Sequence, residues 1–410
     1  MKEWILDWKN YIFVYVIGHL LRGVIYHFFP YVNELLTAVT ILWPMLLLGD
    51  AVFRKSETDP MQRCFLLFVL GAVYAVIVNL FDATGETWLS IWQMMSLFLL
   101  FSHAKHEEAE RFEKQYDLLA IISAGVIVLL ATGSLFLLAC FVMRVSLPGG
   151  LASAEKLFTY GHMGSANRFC GLFGYSADGG NLCALAVLLL LYLVEKGRLK
   201  RWQAAIGTVI LLVTICFLDV RTSILELLAA ALILTYRWLS KKTGTAKALR
   251  ILLGGGILLA GAVMFIKRGA IASYLSRIQT DPEMTLKFLT TGRSVYWSHA
   301  WKGFLRRPVY GHGWINNTHM YKFFFDNHNL FFNVIYWTGL CGLLPLSALA
   351  FFSIRTIRKK KMKWIMRGVI VAAVLVESML DRAVLGTANT AVETSFFWLS
   401  LGSLLYCRDA

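Results

Sequence analysis

Twelve apolar stretches, each near the length that crosses a bilayer, dominate the chain at residues 11–29, 33–53, 64–82, 88–103, 118–144, 181–196, 202–219, 222–239, 249–267, 328–352, 364–381 and 391–407. The hydrocarbon core needs about 20 apolar residues per helix. A backbone out of reach of water must satisfy its own hydrogen bonds, so such stretches fold as spanning helices. The strand-length alternation of a membrane barrel is absent. Only 16% of the 410 residues are charged and 58% are hydrophobic, with mean hydropathy +0.61, whereas a soluble domain is about 25% charged. The expected fold is an all-α polytopic integral membrane protein of about 12 transmembrane helices, a single transmembrane domain over residues 1–410.

The links between these stretches set an orientation. Those after even-numbered spans are rich in Lys and Arg, among them Arg54-Lys55, Arg198-Leu199-Lys200-Arg201, Lys241-Lys242 and Lys359-Lys360-Lys361. Those after odd-numbered spans carry little positive charge, so the positive-inside rule places both termini in the cytoplasm. Met1 to Asn10 shows no cleavable-signal pattern. The seven cysteines lie mostly in apolar runs without CxxC spacing. They read as small core residues and not as a disulfide or zinc framework.

Two links are long and face outward: residues 145–180 and the large, partly helical extracytoplasmic loop 268–327 between spans 9 and 10. From Arg268 to Asp326 the second carries eight Lys or Arg against Asp281, Glu283 and Asp326. Long loops translocate regardless of charge, so topology permits this excess without explaining it. One reading is attraction to anionic headgroups; the other is that some of these cations grip a phosphate. Within the loop, Tyr296/Ala300/Phe304 and Trp297/Trp301/Leu305 repeat at helical spacing from Arg293 to Leu305. The tryptophans favour the membrane interface, which puts Arg293 near the headgroup plane. There a guanidinium and helix N-terminal NH groups suit pyrophosphate.

Other outward positions repeat the theme. Arg168 sits in a glycine-rich segment before span 6, where backbone can approach a ligand closely. Arg221 occupies a very short link, beside Asp219, with which a local pair is the plain alternative; Arg382 beside Asp381 has the same alternative. Glu226 and Glu377 are expensive within a membrane and so are functional suspects, the plain alternative being that each neutralises a nearby arginine and fixes its geometry. His312, His319 and His328 match no zinc spacing, so no metal is expected.

Taken together, several motifs resemble the O-antigen ligase and Wzy-type polymerase superfamily: Asn167-Arg168-Phe169 with Gly171-Leu172-Phe173-Gly174, Val220-Arg221-Thr222-Ser223, Thr291-Gly292-Arg293 with Trp297, Pro308-Val309-Tyr310-Gly311-His312-Gly313, and His328-Asn329 followed by Gly339-Leu340-Cys341-Gly342-Leu343. The resemblance covers about residues 165–345. It implies a GT-C-like membrane glycosyltransferase of the bacterial inner membrane, with no metal or other cofactor. Such an enzyme transfers a glycan from an undecaprenyl-diphosphate-linked oligosaccharide donor on the outer face. By similarity, Arg168, Arg221 and Arg293 form a pyrophosphate clamp. Catalysis falls to His328 with Arg221 and Arg293, and Asn329, Asp219, Tyr296 and Glu226 hold supporting places.

The first expectation for the acceptor is another lipid-linked repeat unit, as in O-antigen, capsule or exopolysaccharide polymerisation. The alternative is a terminal saccharide such as lipid A core, as in a ligase. The bilayer and a chain-length regulator protein are further partners, and no nucleic acid is expected. Two departures bear on donor-sugar contacts: Asp326-Asn327 precedes His328 where many relatives carry a further histidine, and Tyr175-Ser176-Ala177-Asp178 replaces an Asn-Pro-Asn. The Arg168 to Gly179 spacing matches one associated with polymerases. A lipid-linked glycan flippase is the rival class, but no internal repeat of the kind transporters show is found.

Overall fold

The computed structural model describes residues 8–28, 59–79, 85–147, 152–153, 157–159, 168–266, 293–313, 329–359, 365–379 and 391–407. Its α-helices are α1 (Trp8–Phe28), α2 (Pro60–Val78), α3 (Gly85–His106), α4 (Ala109–Val142), α5 (Ser176–Glu195), α6 (Arg201–Leu218), α7 (Arg221–Thr243), α8 (Thr245–Ile266), α9 (Arg293–Arg306), α10 (Leu330–Lys359), α11 (Ile365–Ser378) and α12 (Ala391–Tyr406). Each expected span coincides with a helix except 33–53, which lies outside the described residues. Among the described residues, α2, α4, α5, α6, α7 and α10 are long and apolar enough to cross a membrane. The protein is thus mostly helical, and its long apolar helices are those of a multi-pass membrane protein.

Two local differences from expectation lie in the 145–180 stretch. Phe158–Thr159 (β1) and Arg168–Phe169 (β2) form a short antiparallel pair, and α5 begins at Ser176, inside the stretch read as loop. The pair forms because Phe158 and Phe169 pack ring to ring at 5.8 Å. The Cys170 N–H and thiol both donate to the Leu157 carbonyl, at 2.8 and 3.3 Å. Burial pushes that thiol up to about 11, so it stays a neutral donor.

Ring packing and a polar cluster hold the bundle together. Phe65 of α2 stacks on Trp398 of α12 at 4.6 Å, and Phe101 of α3 meets both edge-on. At the end of the bundle carrying the start of α4 and the end of α5, Arg367 of α11 is 1% exposed. It donates to both Glu113 oxygens at 2.6 and 2.9 Å and to the Tyr192 hydroxyl at 2.9 Å, and it lies 4.3 Å over the Tyr116 ring. Tyr192 in turn donates to Asp117, which also accepts from Arg198, and Lys196 pairs with Glu113. A guanidinium taken out of water needs a charged partner of this kind, here the bidentate Glu113.

Helix α10 is broken. Gly339 takes φ 57°, ψ −146° inside it. The turn 308–313 lies along the break like a strand: His312 N–H bonds the Tyr336 carbonyl at 2.8 Å, Gly313 N–H the Trp337 carbonyl at 2.9 Å, Leu340 N–H the Pro308 carbonyl at 2.8 Å and Cys341 N–H the Val309 carbonyl at 3.0 Å. These bonds replace the helical ones that the break forfeits. A side chain at Gly339 would meet the Pro308 carbonyl oxygen at 2.6 Å, in a conformation that already disfavours L-residues. The turn is fixed on its other side by Arg307, which donates to Asn79 at the end of α2.

Candidate active site

The short link between α6 and α7 is shaped by Asp219, which ends α6 in the left-handed conformation (φ 52°, ψ 47°), and by Val220, which is extended. Asp tolerates that conformation better than most residues. The chain thereby reverses in two residues and presents Arg221, exposed, as the first residue of α7. No ion pair joins Arg221 to Asp219 among the described residues, so the local-pair alternative fails and the guanidinium is open to a ligand.

Directly beneath Arg221 lies a buried polar knot. Thr222 and Ser223 donate their hydroxyls to Asn181 Oδ1 at 3.1 and 2.8 Å. Asn181 Nδ2 donates to the carboxyl of Glu377. Asn181 and Ser223 are at most 2% exposed and Glu377 is fully buried. One turn further along α7, Glu226 is also fully buried, and neither of its oxygens has a hydrogen-bond partner among the described residues. No arginine bonds Glu226 among the described residues, and Thr222 and Ser223 on its own helix turn their hydroxyls toward Asn181.

The knot extends to α10. Asn329 caps that helix, its Oδ1 accepting from the Phe332 N–H at 3.1 Å, while its Nδ2 donates to the Met379 carbonyl at 2.7 Å, just past the end of α11. Glu377 and Met379 thus link the start of α10, through Asn181, to the start of α7. Helix α9 joins by packing on α10: Trp297 stacks on Phe332 at 5.7 Å and 10°, and Gly303 lies against Tyr336. The contacts advance in the same direction along both chains, so the helices run parallel and Arg293, the first residue of α9, sits at the end where Asn329 caps α10. Arg293 and Tyr296 are half-buried. Three helix N-termini, those of α7, α9 and α10, therefore share one end of the bundle, where the positive ends of the helix dipoles add to the guanidiniums.

Arg168, exposed on β2, lines a cavity of about 840 Å³ together with Asp219. Leu135, Leu138 and Val142 of α4 and Val213 and Phe217 of α6 give it apolar walls. Leu172 N–H bonds Ser134 Oγ of α4 at 2.9 Å, holding the hairpin over α4. The structure thus brings Arg168 to the turn that presents Arg221, and Arg293 to Asn329.

His328, the residue before Asn329 in sequence, lies outside the described residues, as do Asn167, Thr291, Gly292, His319 and Arg382. No three His, Cys, Asp or Glu side chains gather as a metal site among the described residues. Asn181 was not singled out from sequence, although an amide inside an apolar stretch signals a buried polar contact.

Residues 206–347 match a family model described as O-antigen ligase. The matched region runs from within α6 to within α10 and includes Arg221, Arg293 and His328, whereas Arg168 precedes it and Glu377 follows it. Comparison with curated proteins and with solved structures gives no match.

Proposed function

We propose, from the match of residues 206–347 to the model described as O-antigen ligase and from the residues gathered at one end of the bundle, that the chain is a polymerase. It would transfer an undecaprenyl-diphosphate-linked oligosaccharide onto another lipid-linked repeat unit on the outer face of the inner membrane. What supports this reading is that Arg221, Arg293 and the Asn329 cap lie toward the same end of the bundle, with Arg168 beside the turn that presents Arg221. The apolar cavity under Arg168 suits an isoprenoid chain, and its polar rim suits the diphosphate.

In the reaction the acceptor hydroxyl oxygen attacks the anomeric carbon of the donor. The bond from that carbon to the diphosphate oxygen breaks, and undecaprenyl diphosphate leaves with the electron pair. Negative charge grows on the diphosphate, where Arg168, Arg221 and Arg293 and the N–H groups of the helix starts stabilise it. Fixed donors of this kind are each worth about 3–4 kcal/mol of barrier. The acceptor proton goes to His328, whose imidazole nitrogen would accept it as general base. Asp219 shapes the Arg221 turn, Tyr296 flanks Arg293, Asn329 holds the start of α10 next to His328, and Glu226 lies beneath the clamp.

A second reading, transfer to a terminal acceptor such as lipid A core, is favoured by the description of the matched family. Purified protein given lipid-linked repeat units in detergent separates these outcomes. Lengthening of the lipid-linked glycan supports the polymerase, transfer only when lipid A core is supplied supports the ligase, and no transfer with either acceptor contradicts both.

A further inference from the structure

The turn 307–313 and the ring of His312 do more than fill space between α9 and the broken α10. The His312 ring stacks on Tyr336 of α10 with centroids 4.7 Å apart and planes at 15°. Its Nε2 lies 3.0 Å from the Gly303 carbonyl oxygen of α9. An oxygen acceptor there fixes Nε2 as the protonated nitrogen, so His312 donates. The ring therefore touches both helices at once.

Nothing between them has slack. A Cβ on Gly303 would fall 2.6 Å from the Tyr336 ring and 3.2 Å from His312 Nε2. A Cβ on Gly311, which has φ +64°, would fall 2.6 Å from the Tyr336 carbonyl oxygen. Below the ring, the turn is bonded to the broken segment of α10 through Tyr336, Trp337, Leu340 and Cys341, and Arg307 ties it to Asn79 of α2. Toward the other end of α9 the Trp297–Phe332 stack is the next contact, and Arg293 lies one turn beyond it. An error in the angle between α9 and α10 at Gly303 is thus carried along roughly three turns of helix to the guanidinium.

We infer that His312 is a positioning residue: by stacking on Tyr336 and bonding the Gly303 carbonyl it locks α9 to the first half of α10 and so sets where Arg293 stands. This rests on the proposed role of Arg293 in binding the donor diphosphate, and it assigns His312 no contact with substrate. It predicts that His312 acts through Arg293 alone, so their losses do not add.

The experiment measures undecaprenyl diphosphate binding to the full chain in detergent, with backbone hydrogen exchange of residues 293–306 in the same samples. In His312→Ala, affinity should fall about ten-fold, or about 1.4 kcal/mol, and exchange across α9 should quicken. His312→Gln, which keeps a donor toward Gly303, should recover most of the loss. In an Arg293→Lys background, His312→Ala should add less than two-fold. Wild-type affinity in His312→Ala, a full further ten-fold loss in the Arg293→Lys background, or unchanged exchange across α9 would each overturn the inference. If Arg293→Ala itself binds undecaprenyl diphosphate as wild type does, the clamp reading fails instead, and quickened exchange confined to α9 still decides for the lock and unchanged exchange against it. Should His312→Ala not fold, Tyr336→Leu, which removes the stacking surface alone, carries the same two readings.

Discussion

Replacing Asn181 by Leu tests whether the buried knot holds Arg221 in place. The substitution keeps the branched side-chain shape and removes three hydrogen bonds, from Thr222, from Ser223 and to Glu377. Each bond is worth about 1 kcal/mol net, and a buried polar group left without its partner costs about 1–3 kcal/mol. At the low end of that range for each of the three partners the loss is about 3 kcal/mol of stability. The larger effect is expected on function. Thr222 and Ser223 directly follow Arg221, and displacement of a catalytic group by about 1 Å can cost about 100-fold in rate. Glycan transfer by purified protein should therefore drop by about two orders of magnitude, with a lowered unfolding temperature in detergent. An Asn181→Leu protein with wild-type turnover and wild-type unfolding temperature would refute the claim that this knot positions Arg221.

Arg221→Ala and Arg293→Ala should each remove about 3–4 kcal/mol of barrier stabilisation, near loss of product, while leaving protein in the membrane; quantifying product against membrane-localised protein checks this. His328→Ala should lower turnover more than donor binding, read from the separate changes in kcat and KM. Filling the cavity by Leu138→Trp should raise the donor KM several-fold with little change in kcat, whereas an unchanged KM would remove the cavity from the donor path. Arg367→Met, which leaves Glu113 without its bidentate partner, should destabilise the protein by about 3–5 kcal/mol, measured as loss of folded protein on heating in detergent.

Helix positions and the amphipathic α9 were legible because both depend on local patterns: a run of apolar residues, or tryptophans four apart with Arg293 at the start. The candidate arginines stood out because charge beside an apolar span needs a reason. The rest depends on pairs far apart in sequence. Asn181 meets Glu377 across 196 residues and Arg307 meets Asn79 across 228, and no periodicity announces either partner. The break at Gly339 was hidden inside a continuous apolar run, since its lost helical bonds are made by a turn some thirty residues upstream. The burial of Glu226 was legible from its place in an apolar run, but that its oxygens have no hydrogen-bond partner among the described residues is visible only in three dimensions. The β1–β2 pair is too short for strand alternation to show.

The central claim is that guanidiniums from three separate segments meet on one diphosphate. A structure of the protein with undecaprenyl diphosphate bound tests it most directly. The account predicts the diphosphate oxygens within hydrogen-bond reach of Arg168, Arg221 and Arg293, with the isoprenoid chain along the cavity walled by Leu135, Leu138 and Phe217. A diphosphate bound away from these arginines, or touching only one of them, would contradict it.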